Sequence, residues 1–138
     1  MEGFGCFKIR FAWSHIMNIL ILEDNEERHK VFRRNMDISG VNVVIFEHVN
    51  DCIKALNDKE WDMLFLDHDL GGEVFVESDG KVQTGWHVAK WLNENPDRQP
   101  PRIFLHSLNP DGRKNMQALL PKATSLPFAW DLVKITDV

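Results

Sequence analysis

Short apolar runs alternate along this chain with stretches of helical period. MNILIL (residues 17–22) is a compact β-rich run, and the EDNEERHKVFRRNM after it sets Val31, Phe32 and Met36 at helical spacing. Asn25 is placed to cap that helix, with Glu26 and Glu27 favourable in its first turn. Gly40 closes the unit and VNVVIF (41–46) is a second strand. NDCIKALNDKE predicts a second helix with Ile53 and Leu56 inward, and DMLFLD (62–67) a third strand. TGWHVAKWLNENP reads as a helix capped by Thr84 and stopped by Pro96, with Val88, Trp91 and Leu92 on one face. RIFLHS (102–107) is the fourth strand. In NPDGRKNMQALLP, Asn109 caps, Pro110 suits the first helical position, and Met116, Leu119 and Leu120 face inward. The tail ATSLPFAWDLVKI fits either a short last strand or a helix.

Strands alternating with helices predict a parallel sheet covered on both faces, an α/β doubly wound, flavodoxin-like three-layer sandwich. One departure interrupts it. Between residues 71 and 84, EVFVE and KVQT flank an Asp79-Gly80 turn, which predicts an inserted β-hairpin over residues 73–83.

Composition adds limits rather than detail. With 138 residues, 43% hydrophobic and 27% charged, the chain suits one globular domain. Residues 17–138 are assigned to it and residues 1–16 read as an extension. The balance of 16 basic against 21 acidic residues, −5, argues against generic DNA binding. No apolar run is long enough for a membrane span, and Lys8, Arg10 and His15 spoil a signal peptide. Cys6 and Cys52 form no metal or redox spacing; a reducing, cytoplasmic setting is the simplest expectation.

The chemistry collects where such folds bind ligands, outside the carboxyl ends of the strands. Strand one delivers Glu23 and Asp24, strand three Asp67, His68 and Asp69, and strand four His106 and Ser107, with Asn109 just beyond. Singly, each has a plain explanation: Glu23 or Asp24 starts a helix and Asp69 shapes a turn, while His29 and His87 read as structural or solvent-facing. Their convergence on one rim is the signal. Clustered carboxylates repel and need a cation, and hard oxygen donors suit Mg²⁺ or Mn²⁺. The helix opened by NPDG points N–H groups at the same rim, with Arg113 a turn away.

The acidic pair Glu23-Asp24 and the strand-ending Asp67 resemble the receiver domains of two-component response regulators over about residues 17–120. There the aspartate accepts phosphate and the acidic pair holds Mg²⁺. Two departures stand out. LHS puts His106 where receivers carry Ser or Thr, and the lysine they carry after the fifth strand has no clean equivalent in Lys122 or Lys134. LDHDLGG, TGWHVAKWL and PPRIFLHSLNPDGRKNM together are similar to a variant, the cyclic-phosphate-processing receiver domain.

That resemblance implies handling of a cyclic or terminal phosphate on a nucleotide or an RNA end. Its expected metal ligands are Glu23, Asp24, Asp67 and Asp69, its catalytic groups Asp67, His68 and His106, and its phosphate-binding groups Ser107, Asn109 and Arg113. The enzyme it suggests is a metal-dependent cyclic phosphodiesterase or phosphatase. The alternatives are a stand-alone receiver phosphorylated at Asp67 that signals to a protein partner, and a cyclic-nucleotide-binding module without turnover. Because successive strand residues face opposite sides, His68 is expected to point away from Asp67.

Overall fold

The computed structural model describes residues 16–70 and 83–128. Among the described residues there are five strands: β1 (Met17–Leu22), β2 (Val41–Phe46), β3 (Met63–Leu66), β4 (Arg102–Leu105) and β5 (Thr124–Ser125). They form one sheet in the order β2-β1-β3-β4-β5, every pair parallel. Four helices connect them: α1 (Glu26–Met36), α2 (Val49–Asp58), α3 (Gly85–Glu94) and α4 (Pro110–Leu119). The tail therefore begins with a short strand, β5, paired to β4. The expected hairpin over 73–83 falls almost wholly outside the described residues, as do nearly all of the extension over 1–16 and the last ten residues.

Side-chain alternation splits the interior into two cores. Leu20, Leu22, Leu64, Leu66, Ile103 and Leu105 pack with Cys52, Leu56, Val88, Leu92 and Met116 from α2, α3 and α4. On the other face, Ile19, Ile21, Met63, Phe65 and Phe104 meet Val31, Phe32 and Met36 of α1, together with Phe128. Phe65 is fully buried, 5.4 Å edge-on to Phe32 and 4.9 Å stacked on Phe104. Truncating it to alanine would cost about 3–5 kcal/mol.

The caps that orient the helices are those the sequence suggests. Asn25 Oδ1 accepts from Arg28 N at 3.0 Å, and Asn109 Oδ1 accepts from Gly112 N at 3.0 Å with Pro110 at the first helical position. Thr84 closes a capping box with His87, whose Nδ1 accepts from Thr84 N at 3.0 Å. Gly40 takes φ +86° at the turn into β2. No helix among the described residues is long and apolar enough to cross a membrane.

Candidate metal and phosphate site at the sheet rim

Strands β3 and β4 end at Leu66 and Leu105, one and two residues sooner than the apolar runs suggest, so the ionisable groups lie just past the ladder. Register then decides who meets whom. Leu22 pairs with Leu66, and Leu66 with Leu105. The next residues, Glu23, Asp67 and His106, therefore form a row across three adjacent strands. All three continue the face that α1 covers, since Ile21, Phe65 and Phe104 precede them by two residues.

The row is buried. Glu23 is 0% exposed, Asp67 2% and His106 1%, and their donor atoms lie within 4.8 Å of one another. His106 Nε2 is 2.9 Å from Glu23 Oε1. An ionised carboxylate can only accept, so Nε2 carries the proton and donates. Nδ1 then has no partner, and the ring sits 5.1 Å edge-on to Phe32. Burial drives the imidazole below its usual pKa against the pull of Glu23, which keeps it neutral. Burial also opposes the Glu23 charge, but the His106 and Asn25 N–H groups and Arg28 outweigh it and hold this carboxyl below its ordinary value. His29 fixes the Glu23 backbone by hydrogen-bonding its carbonyl through Nε2.

Asp67 is the uncompensated member. Burial and the neighbouring Glu23 charge push it up to about 8, although Arg28 and a Ser107 hydrogen bond pull the other way. Asp24, one residue beyond Glu23, is raised as well, by its own burial and by the Glu23 charge. Hard oxygen donors crowded until one of them resists ionisation are what a divalent cation relieves. The residues present fit such an ion.

Above the row opens a cleft of about 140 Å³ lined by Asp24, Asn25, Arg28, Asp67, Asp69, Ser107, Leu108 and Asn109. On its outer lip Asn109 Nδ2 donates to both Asp69 oxygens at 3.3 Å, and His68 Nδ1 lies 2.8 Å from Asp69 Oδ1. That histidine contact, first among the causes, lowers the Asp69 pKa.

The expected residues separate into three groups. Glu23, Asp67 and His106 converge; Asp24, Asp69, Ser107 and Asn109 line the cleft or abut it. His68 turns the other way, and its ring lies against Gly112, where a Cβ would stand 2.5 Å from Cγ. Arg113 is also outside the cleft: Nη1 donates to the Ser107 carbonyl and Nε to Ser125 Oγ at 3.0 Å. The hydroxyl bonded to Asp67 comes from Ser107, not from the His106 position. The residue after β5 is Leu126, and Lys122 is exposed before that strand.

Arg28 escaped the sequence reading. Its Nη1 lies 3.5 Å from Glu23 Oε1 and 3.6 Å from Asp67 Oδ2, so the site's cation comes from the first turn of α1. A signal was available: helical side chains tilt toward the N-terminus, and α1 starts at the rim. Gly85 serves by omission, since a Cβ there would stand 1.8 Å from the Asp67 carbonyl oxygen.

Comparison with known proteins agrees with this architecture. Among solved structures, the phosphorylated cyanobacterial phytochrome response regulator RcpA superposes with a TM-score of 0.64 at 16% identity, covering 83% of this chain and 82% of that one. The response regulator TrrA from Thermotoga maritima, in complex with Mg²⁺ and BeF, gives 0.62 at 15% identity over 84% and 91%. Chemotaxis protein CheY4 from Vibrio cholerae gives 0.60 at 14% over 84% and 91%. Identities this low show the fold alone. No curated protein matches significantly. The family described as Cyclic-phosphate processing Receiver domain matches residues 18–122, most of the chain. With that match, and with a rim that departs from the ordinary receiver pattern at His106 and Leu126, the chain belongs to the cyclic-phosphate-processing receiver domain family.

Proposed function

We propose that this domain binds a divalent cation, Mg²⁺ or Mn²⁺, and uses it to process a cyclic or terminal phosphate of a nucleotide or RNA end. The observation that carries this is the buried row Glu23–Asp67–His106 beneath an open cleft lined by Asp24, Arg28, Asp69, Ser107 and Asn109. Glu23, Asp24 and Asp67 would hold the cation. When bound, it would neutralise phosphate charge and acidify a water.

The chain's own residues would do the rest. His106 gives its Nε2–H to Glu23 and packs its ring against Phe32, so it orients Glu23 and is a positioning residue. Ser107 and Asn109 orient the phosphate from the β4 side. His68 and Asp69, in contact at the solvent edge, are the pair placed to exchange protons with bulk water.

One observation favours a second reading. The Ser107 hydroxyl meets Asp67 much as a receiver hydroxyl would, so Asp67 could be phosphorylated and signal to a protein partner. A single assay separates the two: purified protein with Mg²⁺ or Mn²⁺ is incubated with nucleoside 2′,3′-cyclic phosphates and, separately, with acetyl phosphate. Ring opening that disappears in Asp67→Asn supports processing. Acetyl phosphate labelling of Asp67 without any turnover of cyclic phosphates replaces it with signalling.

A further inference from the structure

Arg28 sets its guanidinium against two of the carboxyls that would hold a cation. Its Nη1 lies nearly equidistant from Glu23 Oε1 (3.5 Å) and Asp67 Oδ2 (3.6 Å). Both separations exceed the roughly 2.7–2.9 Å of a well-made charge-assisted hydrogen bond. The guanidinium is thus shared between the carboxylates and fully engaged with neither. Its Nε is buried without a partner, and Cζ rests 5.4 Å over the Phe128 ring. The Arg28 backbone is fixed, because its N–H donates to the Asn25 cap. Only side-chain rotation can move the charge, and Arg28 also lines the cleft.

Resting on the metal-binding reading above, we infer that Arg28 is a resident counter-ion that competes with the divalent cation for Glu23 and Asp67. Held at 3.5 and 3.6 Å from the two carboxyls, the guanidinium stabilises the metal-free site without satisfying it. A divalent ion bound between the same oxygens repels the guanidinium. Rotation about the side-chain bonds then carries it into the cleft, where a phosphate offers two oxygens to its fork. Arg28 thereby links the two ligands: the cation releases it, and the phosphate keeps it released. Linkage requires the effect to be reciprocal.

The test is Mg²⁺ titration by calorimetry, with and without inorganic phosphate, on the wild type and on Arg28→Gln. Without phosphate, Arg28→Gln should bind Mg²⁺ about tenfold tighter than wild type, within the usual span of such couplings. Inorganic phosphate should tighten Mg²⁺ binding in both, because phosphate can also meet the ion directly, but about threefold or more less in Arg28→Gln. The melting temperature of Arg28→Gln should fall below wild type without metal and recover at saturating Mg²⁺. Equal or weaker Mg²⁺ binding by a folded Arg28→Gln overturns the competition while leaving the metal site standing. Absence of Mg²⁺ binding in both proteins overturns the metal site as well. Should Arg28→Gln not fold, the wild type still decides. Its Arg28 guanidinium NMR signal must shift on adding Mg²⁺ and again on adding phosphate, and a stationary signal refutes the inference.

Discussion

The two ends of the sheet solve the same problem differently. At the amino end, polar groups sit near solvent and are paired at good distances. Asn18 N donates to Asp62 Oδ2 at 2.7 Å, and Asn42 Nδ2 and Lys59 Nζ reach Asn18 Oδ1 at 3.0 and 3.2 Å. Lys59 Nζ lies 4.4 Å over the Trp61 ring, and Arg98 closes the end of α2 by donating to the carbonyls of Leu56, Asn57 and Lys59. At the carboxyl end, three ionisable groups are buried, one imidazole nitrogen is unpartnered, and the cation is shared at 3.5 and 3.6 Å. The amino end is built for stability. The carboxyl end leaves its polar groups imperfectly paired, as the proposed ligand site requires.

The contrast can be broken most forcefully at the carboxyl end. Asp24→Asn with Asp67→Asn should weaken Mg²⁺ or Mn²⁺ binding by about a hundredfold or more while the fold persists, read by calorimetry and circular dichroism. Unchanged affinity would remove these carboxylates from the cation site. The mirror experiment is Arg98→Ala. Loss of its hydrogen bonds to α2 should cost about 2–3 kcal/mol in denaturant unfolding and leave cation affinity untouched.

A smaller effect has an unusual sign. In metal-free protein Asp67 titrates at about 8 against an ordinary 3.8, so the folded state holds its proton more tightly than the unfolded state. The stability this confers is complete below about pH 4 and is lost progressively as pH rises towards 8. His106, whose pKa is depressed, acts in the opposite direction and is lost as pH falls through its range, so the wild-type profile mixes both. The difference between Asp67→Asn and wild type isolates the carboxyl. In chelator, Asp67→Asn should be more stable at pH 8 by about 1–2 kcal/mol, with the advantage shrinking towards pH 4. A constant difference would mean that Asp67 is not strained by burial.

The smallest prediction sharpens the role of His68. Gly112→Ala drives a methyl to within 2.5 Å of its ring. Overpacking costs about 1–3 kcal/mol, and better helix propensity returns about 1, leaving a net loss of about 1 kcal/mol. Cation affinity should hold while cyclic-phosphate turnover falls. Retained turnover would make His68 a packing group only.

Much of this molecule is decided locally, and that part was legible. Asn25, Thr84 and Asn109 cap helices because their side chains satisfy N–H groups a few residues away, whatever the rest of the chain does. The row Glu23–Asp67–His106 was nearly legible too, since each terminates an apolar strand and parallel register puts strand ends side by side.

What the sequence could not determine depends on where separate elements come to rest. Ser107 as well as His106 comes close to Asp67 because the chain leaves the ladder after Leu105 and lets the next side chain turn to the cleft. Arg113 is drawn to Ser125 because β5 pairs beside β4, a contact twelve residues away that no local pattern encodes. Arg28 reaches two carboxylates forty-four residues apart because α1 packs its first turn over the rim through Val31 and Phe32. Periodicity and capping are properties of neighbours in the chain. Charge compensation is a property of neighbours in space, so only the tertiary structure could decide it.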